Sequence, residues 1–439
     1  MTEETTPAPP RLLPVFLLLA LPLLPYLFTL QHPFVYDDQG QIVENAYLKN
    51  PANLGRTLAL QTLNEPKVVN GRRPFVLVTY FTDLRLWKQQ AAGFRATNLV
   101  YHFGVLVLLF FLIRRLARSA ETDNAPILFS FVAVLLFGLH PVLIEAVHMP
   151  SFRPDVLYLF FTLGYLLLLT LPQVKRNLGP ALLLLLLALA SKEAGATAPL
   201  LLGLIWWCFP AHRPPPKMMI GVMASSLTLI GLYALLCIGG SSLQGATGTW
   251  NGLSLQAPEN FYTAPWIWVR YLQLLLAPWP LVIDRVIEGV PGILTVPFIA
   301  GVMAQILTLG AMVFFRRGRP FISFAIGWIW IIYLPVSNLI PLLNAMSDRL
   351  AYGMAAGFGL LLARLLVYRG LKERPRAKLK TGLLAVYCGV AIALTMIRLQ
   401  DFRSNEAIWR ATLRDEPRSA RAHTWIGLDY SRKQMPDKA

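Results

Sequence analysis

Apolar runs of near-bilayer length, separated by short clusters of arginine and lysine, are the feature that most constrains this chain. A helix needs about 20 apolar residues to cross the roughly 30 Å hydrocarbon core of a membrane. Leu-rich runs such as Ala181–Ala190 and Tyr165–Leu171 recur along the sequence. Composition agrees: 55% of the 439 residues are hydrophobic and 14% are charged. A soluble chain would carry about a quarter charged residues. Mean hydropathy is +0.52. The expected fold class is an all-α polytopic membrane protein, because lipid leaves backbone polar groups no partner outside their own segment.

Spans fall near 11–30, 96–116, 126–140, 155–172, 178–191, 196–210, 217–238, 295–315, 320–341, 351–368 and 381–398. That is about eleven crossings, within a range of 9–13. The net charge of +17 does not mark a nucleic-acid binder, since the basic residues punctuate apolar spans and form no separate domain. Such cations are expected in cytoplasmic loops. Cys208, Cys237 and Cys388 lie in apolar segments without paired spacing, so neither a disulfide framework nor a transition-metal site follows. The run from Arg11 to Leu30 has no small-residue cleavage site after it and reads as an uncleaved first helix.

The cationic joints set the orientation. Arg114, Arg115 and Arg118 follow the second span, Lys175 and Arg176 the fourth, Arg213 and Lys217 the sixth, and Arg316, Arg317 and Arg319 the eighth. The densest run extends from Arg369 to Lys380. Placing all of these inside puts the N-terminus in the cytoplasm and the C-terminus outside. The segment Phe261–Ile283, rich in Trp, Tyr and Pro, is then expected to be interfacial and not to cross. The outer side would hold a first loop (31–95), a turn at 140–155, the joint Ser191–Gly195, the stretch 239–294 and the turn 342–350. The first loop is too long for a mere connector. Asn53–Leu63 and Pro74–Trp87 are expected to form short helices on the membrane surface.

Ionisable residues that loop solvation does not explain gather on that side. Asp37-Asp38 follows the first span, Arg73 precedes a short helix, and Asn98 with His102 opens the second span. His140, Glu145, Arg153 and Asp155 crowd one turn, and Asp348-Arg349 with Tyr352 occupies another. Lys192-Glu193 ends an apolar run that reaches only about 20 Å as a helix, so the pair sits below the surface and faces a polar cavity or pins helices together. The 140–155 group has the same two readings: a site, or a structural charge cluster.

A lipid-phosphate donor would need arginine or lysine at the interface to hold its phosphate and stabilise the charge left there. An acceptor hydroxyl would need a carboxylate to orient it and take its proton. Asp37 or Asp38 fits the base; Arg73, Arg153, Lys192, Arg349 and Tyr352 are phosphate candidates; Asn98, His102, His140, Glu145, Asp155 and Glu193 are supporting polar groups. A carboxylate-held Mg²⁺ or Mn²⁺ stays open, and no other cofactor is expected.

The order VYDD, Arg73-Pro74, then Asn98 and His102 is similar to the GT-C glycosyltransferases. With His140–Asp155, Ser191–Gly195, Leu334–Pro341 and Ser347–Gly353, it more closely resembles the transmembrane O-mannosyltransferases with tetratricopeptide repeats and their bacterial relatives. The resemblance runs across most of residues 11–430. It implies a GT-C-like bundle over residues 1–398 and inverting transfer of a sugar from a polyprenyl-phosphate carrier to a hydroxyl, protein Ser or Thr first. It also implies a bacterial inner-membrane location with the site and C-terminus in the periplasm. The family's catalytic aspartate lies where Asp37-Asp38 stands. Its frequent Glu-Arg pair is Asp348-Arg349 here. In the tail, 399–439, the spacing of Ala422, Gly427 and Tyr430 is similar to the first helix of a tetratricopeptide repeat. One repeat cannot bury its face alone, so the tail is vestigial or the sequence in hand ends early. Transfer to a lipid or glycan acceptor is the rival enzyme reading. A lipid or solute transporter is the rival of another class, disfavoured because no repeat relates the two halves.

Overall fold

The structure, a computed structural model, describes residues 12–119, 126–238, 258–342, 344–367 and 374–432. All regular structure among these residues is helical. Each of the eleven expected segments contains a helix, though 11–30 is broken and 320–341 is helical only to Val336. Among the described residues, six helices qualify as membrane spans by length and composition, or seven if the bent pair Pro126–Gly138 and Pro141–His148 is one span. Leu13–Leu27, Glu193–Cys208 and Pro320–Val336 are shorter apolar helices. The first is broken because Pro22 and Pro25 tighten its middle into a single 3-10 turn. The protein is an integral membrane protein. The stretch 239–257 and the first part of the Arg369–Lys380 run lie outside the described residues.

Small residues let the central helices approach. Helix Tyr352–Val367 packs between Pro320–Tyr333 and Pro126–Gly138. A methyl group on Gly357 would sit 2.9 Å from the Ala325 carbonyl oxygen, and one on Gly359 2.8 Å from that of Ala133. In a membrane, where lipid is as apolar as leucine, such close packing is a main source of helix association.

The segment expected to lie at the interface is helix Glu259–Leu276. Both its ends meet the same end of the bundle. Asn260 donates to the carbonyls of Asn338 (3.3 Å) and Leu339 (3.1 Å). The Leu275 carbonyl accepts from His140 Nε2 at 2.9 Å. Its buried face carries Trp268, stacked on Trp330 with centroids 4.2 Å apart.

The first loop folds into a π-helical turn, Gln39–Val43, and helices Ala46–Lys49, Asn53–Leu58, Gln61–Asn64 and Pro74–Trp87. Pro74–Trp87 does more than rest on a surface. Val76, Leu77, Tyr80 and Phe81 are buried in a second apolar cluster with Phe94 and Leu157, and the Phe75 N–H donates to the Ala190 carbonyl at 3.1 Å. Past helix Arg374–Asp401, the helices Asn405–Asp415 and Ala420–Arg432 form a hairpin whose Trp409 and Ala422 join the main core. The first loop, the 140–155 turn, the 191–195 joint, the 342–350 turn and this hairpin all meet at one end of the bundle.

Candidate functional site

The chain leaving the first helix is gathered by Arg95, whose guanidinium donates to the carbonyls of Leu30 (3.1 Å), Pro33 (2.6 Å) and His32. This fixes the path into Tyr36-Asp37-Asp38, and the two aspartates then diverge. Asp38 is fully buried. Its Oδ1 accepts the Ser151 N–H at 2.8 Å and its Oδ2 the Val35 N–H at 3.5 Å. Burial pushes its pKa up to about 6 against the pull of those hydrogen bonds and of Arg95. Asp37 is only partly covered and accepts from Gln41 Nε2 at 3.4 Å. Burial raises its pKa, while the positive charges of Arg349 and Arg421 draw it down. One aspartate ties the first loop to the 150–152 turn; the other lies in the field of two guanidinium groups.

Arg349 lies in a short 3-10 turn, Asp348–Ala351, and reaches the 140–155 segment. Its Nη1 donates to Glu145 Oε1 at 3.0 Å, and its guanidinium lies 3.9 Å from the centroid of the Phe152 ring. Glu145 Oε2 is buried with no hydrogen-bond partner among the described residues. The Arg349 side chain keeps 19% of its surface exposed against 5% for Glu145, so the open side of this pair is the cation.

Several expected site residues have protein partners of their own. Arg153, expected to hold a phosphate, has no exposed surface. Its Nε donates to Asn98 Oδ1 (2.6 Å), Nη1 to Thr79 (3.0 Å), and Nη2 to Asp83 (2.5 Å) and the Phe94 carbonyl (3.1 Å). Asn98 completes this knot by donating to the Val147 and Met149 carbonyls. Tyr352 is also fully buried, sharing a 2.8 Å hydrogen bond with His102 Nδ1. His140 caps the bend: Nδ1 accepts the Val142 N–H while Nε2 holds the Leu275 carbonyl. Lys192 Nζ is 2.5 Å from Asp155 Oδ1 and 5.9 Å from the Tyr158 ring centroid. This is the helix-pinning alternative for Lys192, yet the Asp155 charge also reaches Arg349. Lys192 and Glu193 do not pair with each other; Glu193 takes a two-pronged contact from Arg73 at 2.9 and 3.3 Å near the surface. Asp348 accepts from the Val282 N–H and Arg285, so of the Asp348-Arg349 pair it is the arginine whose charge reaches Asp37.

The tail contributes groups that the sequence reading left outside the site. Arg421 donates to Asp284 (2.9 Å) and Asn344 (2.8 Å), and its charge reaches Asp37. Asn405 Oδ1 accepts the Tyr36 N–H at 2.7 Å. Nothing in local spacing marks a tail residue as a neighbour of residue 36; Asp284-Arg285 beside an apolar helix was the available hint that the tail had a charged seat. Among the described residues no three of His, Cys, Asp and Glu cluster as a metal would require.

No protein-family model matches the chain. It is 26% identical to a protein O-mannosyl-transferase of Caenorhabditis elegans, over 80% of this chain and 50% of that protein. It is 25% identical to one of Mus musculus, over 91% of this chain and 61% of the relative. With one of Drosophila melanogaster it shares 30% identity over 43% of this chain and 22% of the relative. The chain resembles the protein O-mannosyl-transferases. It spans about half the length of these curated relatives. Among solved structures, the crystal structure of ArnT from Cupriavidus metallidurans bound to undecaprenyl phosphate aligns with TM-score 0.45 and 13% identity, over 96% of this chain and 80% of that chain.

Proposed function

We propose that this chain is a glycosyltransferase that moves a monosaccharide from a polyprenyl-phosphate carrier to a hydroxyl group, with Asp37 as the general base. The observation that carries the assignment is the split between the aspartates: Asp38 is closed by backbone hydrogen bonds, while Asp37 is partly open and within reach of the charges of Arg349 and Arg421. Likeness to protein O-mannosyl-transferases supplies the reaction class. In an inverting displacement the acceptor oxygen attacks the anomeric carbon as Asp37 takes its proton. The bond from that carbon to the phosphate oxygen breaks, and the electron pair stays on the leaving phosphate. Arg349, and Lys192 and Arg73 nearby, are the cations proposed to stabilise that charge. A base raised above the ordinary carboxylate range accepts a proton more readily than a solvated aspartate would.

On this reading residues 1–398 form the catalytic unit, helix Glu259–Leu276 borders the lipid chain, the acceptor is a serine or threonine hydroxyl, and the site faces the outer side. The test uses membranes containing the protein, a labelled polyprenyl-phosphate mannose and a Ser/Thr-rich acceptor peptide. Labelled peptide should form with the wild type and be lost with Asp37→Asn. Label transferred only to lipid or glycan would replace the peptide acceptor, and full activity in Asp37→Asn would remove Asp37 as base.

A further inference from the structure

We infer that the C-terminal hairpin holds Asp37 in working position, with Asn405 as the positioning residue. The inference rests on the proposed role of Asp37. Tyr36, immediately before that aspartate, has φ = 50°. A bulky residue in this left-handed region persists only where its surroundings hold it there.

What surrounds Tyr36 comes from the tail. Asn405, the first residue of helix Asn405–Asp415, accepts the Tyr36 N–H at 2.7 Å. The place of Asn405 is itself fixed, because the preceding Ser404 caps the helix by accepting the Ala407 N–H at 3.1 Å. One helical turn further, Trp409 meets the Tyr36 ring edge-on with centroids 5.0 Å apart, and Trp425 from the second helix does so at 6.3 Å. The two indoles are nearly parallel, 4° apart in plane, and hold the ring between them and Phe152. The hairpin is anchored independently by Ser419 and Arg421 on Asp284, at 2.7 and 2.9 Å. The tail therefore grips the backbone one residue from the proposed base and grips a second loop at its other end. A tether that merely closed the fold would not need to bond the amide of that residue.

Asn405→Ala removes the acceptor and lets Tyr36 relax to an ordinary conformation, turning Asp37 away from the acceptor. In the full-length protein kcat should fall about tenfold while KM for the lipid-linked donor stays within about twofold. Asp37 accepts from Gln41 and feels the charges of Arg349 and Arg421; Tyr36 is its chain neighbour, and Glu145 pairs with Arg349. Moving away from the two arginines should carry the acid limb of the rate profile to higher pH. Asn405→Asp keeps an acceptor oxygen and should recover most of kcat at high pH, with its acid limb raised by the added negative charge. Arg410→Ala, exposed on the same helix, controls for general weakening of the hairpin. An unchanged kcat in Asn405→Ala, beside an inactive Asp37→Asn, would overturn the inference and leave the base intact. Equal losses in Arg410→Ala would overturn it too. Activity in Asp37→Asn would remove the base itself. Should Asn405→Ala not fold, Asn405→Asp decides alone: no shift of its acid limb would sink the idea.

Discussion

Two arginine centres flank the turn Pro150–Phe152, and they are built in opposite ways. Arg153 is wrapped by Asn98, Thr79, Asp83 and the Phe94 carbonyl, with no surface left open. Arg349 makes one hydrogen bond to Glu145, stacks on Phe152 and stays partly exposed. A guanidinium has five N–H donors in a rigid fork. Where the protein occupies them on every side it has made a joint; where it leaves some free it has left room for a ligand. The aspartates divide along the same line, Asp38 with the joint and Asp37 with the opening.

The sharpest way to break that division is to neutralise each aspartate. Asp37→Asn should lower turnover by roughly 10²–10⁴-fold, the usual contribution of a positioned base, with little change in melting temperature. Asp38→Asn turns an amide donor toward one of the backbone N–H groups that the carboxylate accepts. Its main effect should be on stability, on the order of 1–3 kcal/mol for a buried polar group left unmatched. Parallel activity and thermal-unfolding measurements check both. A stable but inactive Asp38→Asn beside an active Asp37→Asn would reverse the assignment.

Next in size is Arg153→Ala, which leaves Asp83 buried without its cation. Breaking such a pair from one side costs about 3–5 kcal/mol. The protein should melt far lower or fail to accumulate in membranes. A stable Arg153→Ala with selectively weakened donor binding would instead return Arg153 to the phosphate set.

How much of this was readable from the sequence depends on range. Helix placement was largely readable: hydrophobic length and cationic joints are local, and every expected span contains a helix. That charges gather at one end was readable too, because chain order and orientation together fix which joints share a face. Which charges pair was not. Arg153 and Arg349 look alike in sequence; they differ because Asp83 on helix Pro74–Trp87 reaches one of them from 70 residues away. Lys192 and Glu193, adjacent in the chain, point to different partners, Asp155 and Arg73. The Tyr36–Asn405 contact spans 369 residues. It depends on a docking that no local pattern encodes.

A smaller and signed effect comes from Arg421. Burial raises the pKa of Asp37 while Arg349 and then Arg421 lower it. Arg421→Ala removes one lowering charge, so Asp37 should hold its proton to higher pH. The base works only when deprotonated, so the acid limb of the rate profile should move upward and the loss be greater at pH 6 than at pH 8. A limb that moves down, or not at all, would separate Arg421 from the site.

The smallest expected change tests whether Arg73 belongs with the open centre or the closed one. Its contact with Glu193 lies near the surface, the two side chains keeping 31% and 69% of their area. Pairs this exposed contribute about 0–1 kcal/mol. Glu193→Gln should therefore leave thermal stability nearly unchanged. If Arg73 meets the donor phosphate, Glu193 competes with that phosphate for the same fork, and neutralising the carboxylate frees the cation. KM for the lipid-linked donor should then fall by about twofold to threefold with kcat unchanged, the pattern of uniformly stronger binding. A raised KM would mean that Glu193 holds Arg73 in the geometry the donor needs, and an unmoved KM would place Arg73 with Arg153 among the joints.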